Sequence, residues 1–341
     1  MIQQNNAYNF NQNFNPNNFE QMFKRERKIR LRTYFSKIGF SLILSLVILY
    51  VLSICLPFIG GAIFSENLVT YTYIVSALAS ILSFISAGFF CGGIVNEKPS
   101  ELISFRRTKK DSLIWILIAS FSMFMISNYM TNVFLGNMEF IGLPINQTDI
   151  GYEKSWLNLI LYCISIAVVP ALTEEFLFRG IILGTLRKYG DSFAIVTSSL
   201  FFGLMHQNFI QLPFAFVGGL VFGYITVYTG SVVPAMVVHF ANNLFSCIFS
   251  ILPKYINSTV SELLYIGIVI VALVAGIFFV YKLSANDSSL LNLKNFTPKE
   301  YNDIITKEKE KYIAFFQSFG VIAFVVLLLG LSIINSFFTA A

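Results

Sequence analysis

Long apolar runs, each bounded by short polar segments, recur from residue 38 to residue 334. A helix needs about 20 apolar residues to cross a hydrocarbon core. On that scale the pattern predicts spans at 38–57, 68–95, 113–134, 156–189, 193–206, 212–228, 233–252, 264–281 and 312–334. The fourth run is overlong and is broken by Pro170. The expected fold is all-α, a polytopic integral membrane bundle of about eight to nine transmembrane helices, with an even number if one segment is re-entrant.

Composition agrees with the pattern. Of 341 residues, 56% are hydrophobic and 12% charged, against about a quarter charged in an ordinary soluble domain. The mean hydropathy is +0.70. Threading the spans in order gathers 20 of the 23 Lys and Arg residues on the side of the N-terminus, in 24–37, 96–112, 187–191 and 282–311. The other side carries only Lys154 and Lys254, and Arg179 lies inside a span. The positive-inside rule then puts the N-terminus in the cytoplasm and the C-terminus outside, most simply in the cell (plasma) membrane. The net charge of +5 reflects topology and not nucleic-acid binding, so the first partner is the lipid bilayer.

Residues 1–36 are Asn-rich and then basic, ending in KRERKIRLR at 24–32. They read as a disordered cytoplasmic tail with a membrane-proximal basic cluster. The first apolar run begins too late and runs too long for a cleaved signal peptide. Cys55, Cys91, Cys163 and Cys247 lie in apolar runs without ligand-like spacing and read as buried packing residues with no disulfide.

An ionisable group at the centre of a transmembrane helix costs on the order of 2.5–3.5 kcal/mol for Asp, Lys or Arg. Each one therefore needs a partner or a purpose. Between residues 156 and 252, setting aside the charges around the turn at 187–191, the spans hold Glu174, Glu175, Arg179, His206 and His239. Those two histidines are the only ones in the chain. Glu175 and Arg179 are four apart, acid first, which predicts a neutralising pair on one helix face. Glu174 points about 100° away and is left free. A purely structural alternative is that Pro170 breaks the helix, Thr173 caps the next one, and both glutamates sit in its first turn.

Glu174 lies 15 residues before Tyr189, and His206 lies 14 residues after Ser192. An antiparallel hairpin about that turn puts both side chains about 21–23 Å from it, at one level. They can share a water, the arrangement that general-base chemistry needs. Phe202 is one turn before His206, on the same face. His239 and Asn243, again four apart, project two hydrogen-bonding groups from one face of a later helix.

EEFLFR at 174–179, FGLMH at 202–206 and HFANN at 239–243 resemble, in order and spacing, the EExxxR, FxxxH and HxxxN motifs of the CAAX-protease and bacteriocin-processing (CPBP, or Abi) family of intramembrane endopeptidases. That family includes the type II CAAX prenyl endopeptidases. The resemblance implies an α-helical core with a catalytic chamber open to the cytoplasm. It implies Glu174 as the base, His206 as its partner, and His239 with Asn243 as donors to the oxyanion. Glu175 and Arg179 would hold the helix and orient the base. The substrate would be a membrane-associated peptide or protein, prenylated or bacteriocin-like, cleaved near the cytoplasmic face.

Amide hydrolysis without a nucleophilic side chain needs a polarised water and a donor to the developing oxyanion, one such donor being worth about 2.7–4 kcal/mol. The absence of HExxH excludes a standard zincin. A divalent metal such as zinc, held by Glu174, His206 and His239, is the alternative to a reaction that requires no cofactor.

The motifs divide the chain into the tail 1–36, three N-terminal transmembrane helices in 37–155, the core 156–252 and two C-terminal transmembrane helices in 253–341. Gly218, Gly219 and Gly223 predict close helix packing. Two other classes compete with a peptidase. A proton-coupled transporter also uses embedded Glu, His and Arg, and a non-catalytic immunity or scaffold protein would bind through the same chamber.

Overall fold

The first helix, α1, runs from Pro16 to Gly61. The stretch 16–36 is therefore helical and not a disordered tail, and only 1–15 of that tail fall outside the described residues. Its charges explain the helix. Lys24 pairs with Glu20 and Arg30 with Glu26 at i, i+4, Arg27 reaches Glu310, and Leu31 and Phe35 are buried in the bundle. The computed structural model describes residues 16–61, 68–105, 110–140, 155–209, 211–286 and 308–337.

After α1 come α2 (Leu68–Val95), a single turn α3 (Pro99–Leu102) and α4 (Lys110–Phe140). The overlong run then divides into α5 (Trp156–Cys163), a π-helical turn at Ile164–Val168, α6 (Val169–Glu175), a second π-helical turn at Phe176–Ile182, and α7 (Leu183–Leu186). α8 (Asp191–Met205), α9 (Gln211–Thr229) and α10 (Val233–Ile251) complete the core. α11 (Ser258–Asn286), α12 (Glu308–Phe316) and α13 (Phe319–Phe337) follow. Among the described residues the only extended pairing is an isolated bridge between Phe105 and Ser231.

Among the described residues, six of these helices, together with the composite run Trp156–Tyr189 as a seventh, are long and apolar enough to cross a membrane, and α12 with α13 make an eighth if that pair, bent by 61°, is one span. The chain is thus an integral, multi-pass membrane protein. The remaining predicted crossing, 193–206, is the 15-residue α8, which at about 22 Å falls short of a 30 Å hydrocarbon core. It pairs with α9 as a helical hairpin. Gln207, at φ 50°, takes the left-handed conformation that ends α8 just after His206.

Outside the core, α1 packs along α2 and α13, and α11 packs along α4. Gly39 and Gly320 let the backbones of α1 and α13 touch, since a Cβ on Gly320 would collide with the Ser36 carbonyl. A cluster of rings from Phe35, Tyr189, Phe193 and Phe315 ties α1 and α12 to the turn before α8. In the core, a Cβ on Gly219 would lie 2.8 Å from Ser199 Cβ, and one on Gly218 2.6 Å from the Phe124 ring. Those glycines bring α9 against α8 and α4.

Candidate functional site

Pro170 and the two π turns shape the site from the backbone outward. A prolyl residue has no N–H and its ring crowds the carbonyl four residues earlier, which here is that of Ile166. The Ile166 carbonyl instead accepts a hydrogen bond from Asn243 Nδ2 at 3.1 Å. Broken helix and polar side chain thus satisfy one another inside the membrane. The second π turn begins just after Glu175 and contains Arg179, an irregularity of a kind frequent at functional sites.

Glu175 and Arg179 are completely buried, with Arg179 Nη1 donating to Glu175 Oε1 at 3.0 Å. Arg179 Nη2 donates to the Gly219 carbonyl at 3.2 Å, and its guanidinium lies 4.2 Å from the centre of the Phe202 ring and 5.0 Å from that of Phe222. Stacking of this kind suits a weakly hydrated guanidinium away from water. Phe202, which sequence reasoning placed over His206, does pack edge-on to that ring at 5.0 Å. It also lies beneath Arg179.

Glu175 has a second partner. Its Oε1 lies 2.8 Å from His239 Nδ1. The imidazole of His239 is thereby held by the second glutamate of the motif, stacked on Phe222 at 4.9 Å and 20°. A carboxylate only accepts, so the Nδ1 proton points at Glu175 and Nε2 is left for other chemistry. His206 shows the same polarity. Its Nδ1 lies 3.0 Å from the Phe202 carbonyl, which again only accepts, so Nε2 carries the lone pair of the neutral ring.

Asn243 is held at both ends of its amide. Asn128 Nδ2 donates to Asn242 Oδ1 at 2.8 Å, Asn242 Nδ2 to Asn243 Oδ1 at 3.2 Å, and Asn243 Nδ2 to Ile166. This relay runs in one direction from α4 through α10 to the broken helix. It leaves one N–H of Asn243 without a role in the chain of bonds. Asn128 and Asn242 were missed by sequence reasoning; the NN doublet at 242–243 and the polar spacing of α4 are the signals that carry them.

His206, His239 and Asn243 line one cavity of about 260 Å³, together with Phe202, Phe222, Asn128 and Asn242. Glu174 is not among its lining residues. It is half-buried, and no side chain among the described residues donates a hydrogen bond to it. The hairpin register is nonetheless that of the sequence argument, because Phe178 and Phe202, one turn nearer the bend on each strand of the hairpin, meet at 5.4 Å. Glu175 Oε2 and Arg179 Nε are buried without a protein partner. Among the described residues no group of three or more His, Cys, Asp or Glu side chains is arranged to hold a metal ion.

The cavity lies toward the end of the bundle remote from the basic segments. Tyr34 bonds to Glu97 at 2.8 Å and carries the Lys188 ammonium over its ring at 3.9 Å. Tyr50, sixteen residues further along α1, donates to Gln207 beside His206, about 24 Å away by helical rise.

Residues 156–245 match the family model of the Rce1-like type II CAAX prenyl endopeptidases. The chain is also 25% identical over 164 residues to the membrane-embedded CAAX protease MroQ of Staphylococcus aureus (strain USA300), a match covering 46% of this chain and 66% of that protein, just under two thirds of its length. No solved structure matches it. The three motifs lie within the stretch that the family model matches, and over residues 156–245 the chain is similar to the Rce1-like type II CAAX prenyl endopeptidases.

Proposed function

We propose that the cavity is the active site of an intramembrane endopeptidase acting on membrane-associated peptides or proteins. One observation carries the reading. In a chain whose core matches the type II CAAX prenyl endopeptidases, the imidazoles of His206 and His239 and the amide of Asn243 line a single cavity inside the bundle.

Glu174 is the base in this proposal. It removes a proton from a water held toward His206 Nε2, and the water oxygen adds to the scissile carbonyl carbon. The oxyanion accepts the second N–H of Asn243. His239 takes a proton at Nε2 from solvent before the substrate binds, donates that N–H to the oxyanion and keeps it through the turnover, with Glu175 and Arg179 holding the ring in place. The proton on Glu174 then passes to the departing amine nitrogen as the C–N bond breaks, leaving a carboxylic acid and a free amine. Water supplies the nucleophile, and no cofactor is required. The N-terminus is cytoplasmic in the cell membrane, as the distribution of Lys and Arg supports.

The test uses purified protein in detergent and quenched-fluorescence peptides. Glu174→Gln and His206→Ala are expected to lower kcat by at least about 100-fold, the scale of a lost general base, while chelation of divalent ions leaves the rate unchanged. Wild-type turnover by Glu174→Gln would remove the mechanism. Transport of a solute into proteoliposomes, without cleavage of any peptide, would move the chain to another class.

A further inference from the structure

Tyr50 stands within the apolar run 38–57 of α1 and is the only tyrosine in it. A phenolic O–H at such a depth needs an acceptor. It finds one on another part of the bundle, donating to Gln207 Oε1, the side chain that follows His206. The reaction as proposed gives that bond no role, and α1 lies outside the stretch that the family model matches.

The bond falls where His206 is least supported. His206 is exposed at the end of α8, and the contacts of its ring with the Phe202 carbonyl and the Phe202 ring both come from one turn earlier on the same helix. The imidazole therefore goes where the helix end goes. That end is tightened: the N–H groups of His206 and Gln207 bond to the carbonyls of Gly203 and Leu204 at 3.3 and 3.0 Å, three residues back and not four. Gln207 then takes φ 50°, a conformation that asparagine tolerates and glutamine rarely adopts. Such a residue persists where its surroundings over-determine it. The bond from α1 is a restraint of that kind, and it comes from outside the α8–α9 hairpin.

The same level of the bundle holds the proposed base. Ser45 of α1 meets Ser83 of α2 at 2.7 Å, the neighbouring Phe84 ring lies 6.3 Å from that of Phe178, and Phe178 lies 5.4 Å from Phe202. These contacts define one layer across α1, α2, the second π turn and α8. Counted from it toward the helix end at His206, Tyr50 is five residues on from Ser45, Glu174 four from Phe178 and Gln207 five from Phe202. Each stands about 6–8 Å beyond the layer. Tyr50 and Gln207 thus meet at the level of Glu174 and His206.

We infer that Tyr50 is a positioning residue of the site: through Gln207 it fixes the end of α8, and with it the direction of the His206 imidazole toward the water that Glu174 deprotonates. The kinetic part of the inference rests on the peptidase reading. The Phe202 contacts fix the ring only relative to α8, whereas a bond one residue from the imidazole acts on the backbone that carries it. Loss of the Tyr50 hydroxyl leaves every reacting group in the chain but lets His206 drift from the geometry that the reaction needs, and small misplacements are costly to catalysis.

The first test needs no substrate. His206 and His239 are the only histidines, so protein labelled with 13C- and 15N-histidine gives two imidazole signals in detergent, and the one lost in His206→Ala is that of His206. Tyr50→Phe is expected to shift or broaden the His206 signal and to leave in place that of His239, which Glu175 holds. Tyr71→Phe, which removes a tyrosyl bond from α2 to the Leu56 carbonyl of α1, is the control and should move neither. An unmoved His206 signal in Tyr50→Phe, or equal displacement of both signals, would overturn the inference whatever the enzyme's activity.

The second follows cleavage of a quenched-fluorescence peptide. Tyr50→Phe is expected to lower kcat about fivefold, the scale of one hydrogen bond, with KM and Tm retained. Gln207→Gly keeps the left-handed turn while removing the acceptor, and adding Tyr50→Phe to it should change nothing further. Unchanged kcat in Tyr50→Phe, or additive losses in the pair, would overturn the positioning role. If the His206 signal moves as expected but the wild-type protein cleaves no peptide, the peptidase reading fails and the coupling of Tyr50 to His206 stands.

Discussion

His239 Nδ1 lies 2.8 Å from Glu175 Oε1, so it is the second glutamate of the motif, not the first, that is tied to an imidazole. Two adjacent carboxylates thereby take up different duties. Glu175 is fully buried between Arg179 and His239, whereas Glu174 is half-buried and holds neither.

The same isosteric change should therefore have opposite consequences at the two positions. Glu175→Gln leaves the Arg179 guanidinium buried without its counter-charge, which costs on the order of 3–5 kcal/mol when a buried pair loses one partner. A large fall in Tm in detergent, or failure to accumulate folded protein, is expected. Glu174→Gln removes no ion pair and is expected to stay within about 0.5 kcal/mol of wild type while losing cleavage. Equal destabilisation by the two variants would make Glu174 a structural residue.

Gly219 gives a test of how the backbone of α9 serves the site. Its carbonyl accepts from Arg179 Nη2, and an added Cβ would lie 2.8 Å from Ser199 Cβ on α8. Gly219→Ala must push the two helices apart and is expected to cost about 1–3 kcal/mol, as overpacking does. Gly267→Ala, where a Cβ would meet nothing within 4 Å, is the control and should leave the Tm in place. If the two variants melt together, the close approach of α8 and α9 is not what the glycine provides.

From the sequence, Cys163 and Cys247 are expected to be buried packing residues with no disulfide. Their sulfurs stand 3.2 Å apart, between α5 and α10, while Cys55 is exposed on α1. Mild oxidation with a copper catalyst is expected to join Cys163 to Cys247 within one chain, with loss of two hydrogens in the peptide map, and to leave Cys91 unmodified. A map in which Cys55 forms the dominant internal bridge would contradict the helix placement.

Much of this fold was legible because the bilayer makes hydrophobicity a nearly sufficient signal. Eight of the nine predicted spans coincide with helices that meet the length of a crossing singly or as a bent pair. The exception, α8, is mostly apolar but only 15 residues long, and composition cannot distinguish a helix that crosses from one that turns back. The basic stretch after residue 20 was misread because isolated charge density looks disordered. Its helix depends on Leu31 and Phe35 docking onto the bundle, a tertiary effect. Within the site, the Glu175–Arg179 pair followed from i, i+4 spacing. The bond from Glu175 to His239 did not, since it joins residues 64 apart and depends on how α10 rotates against the π turn.

The relay from Asn128 through Asn242 to Asn243 is the arrangement with the most specific kinetic consequence. Asn242 Nδ2 occupies Asn243 Oδ1 and so fixes which end of that amide faces the Ile166 carbonyl. Without it the Asn243 amide can turn over and present an acceptor where the oxyanion forms. Asn242→Ala is expected to cost about 1 kcal/mol, the typical net worth of one such bond, or roughly fivefold in kcat, with KM retained. The decisive comparison is a double-mutant cycle. If Asn242 works through Asn243, then adding Asn242→Ala to Asn243→Ala changes nothing further. Additive losses in kcat would instead mean that Asn242 touches the substrate itself.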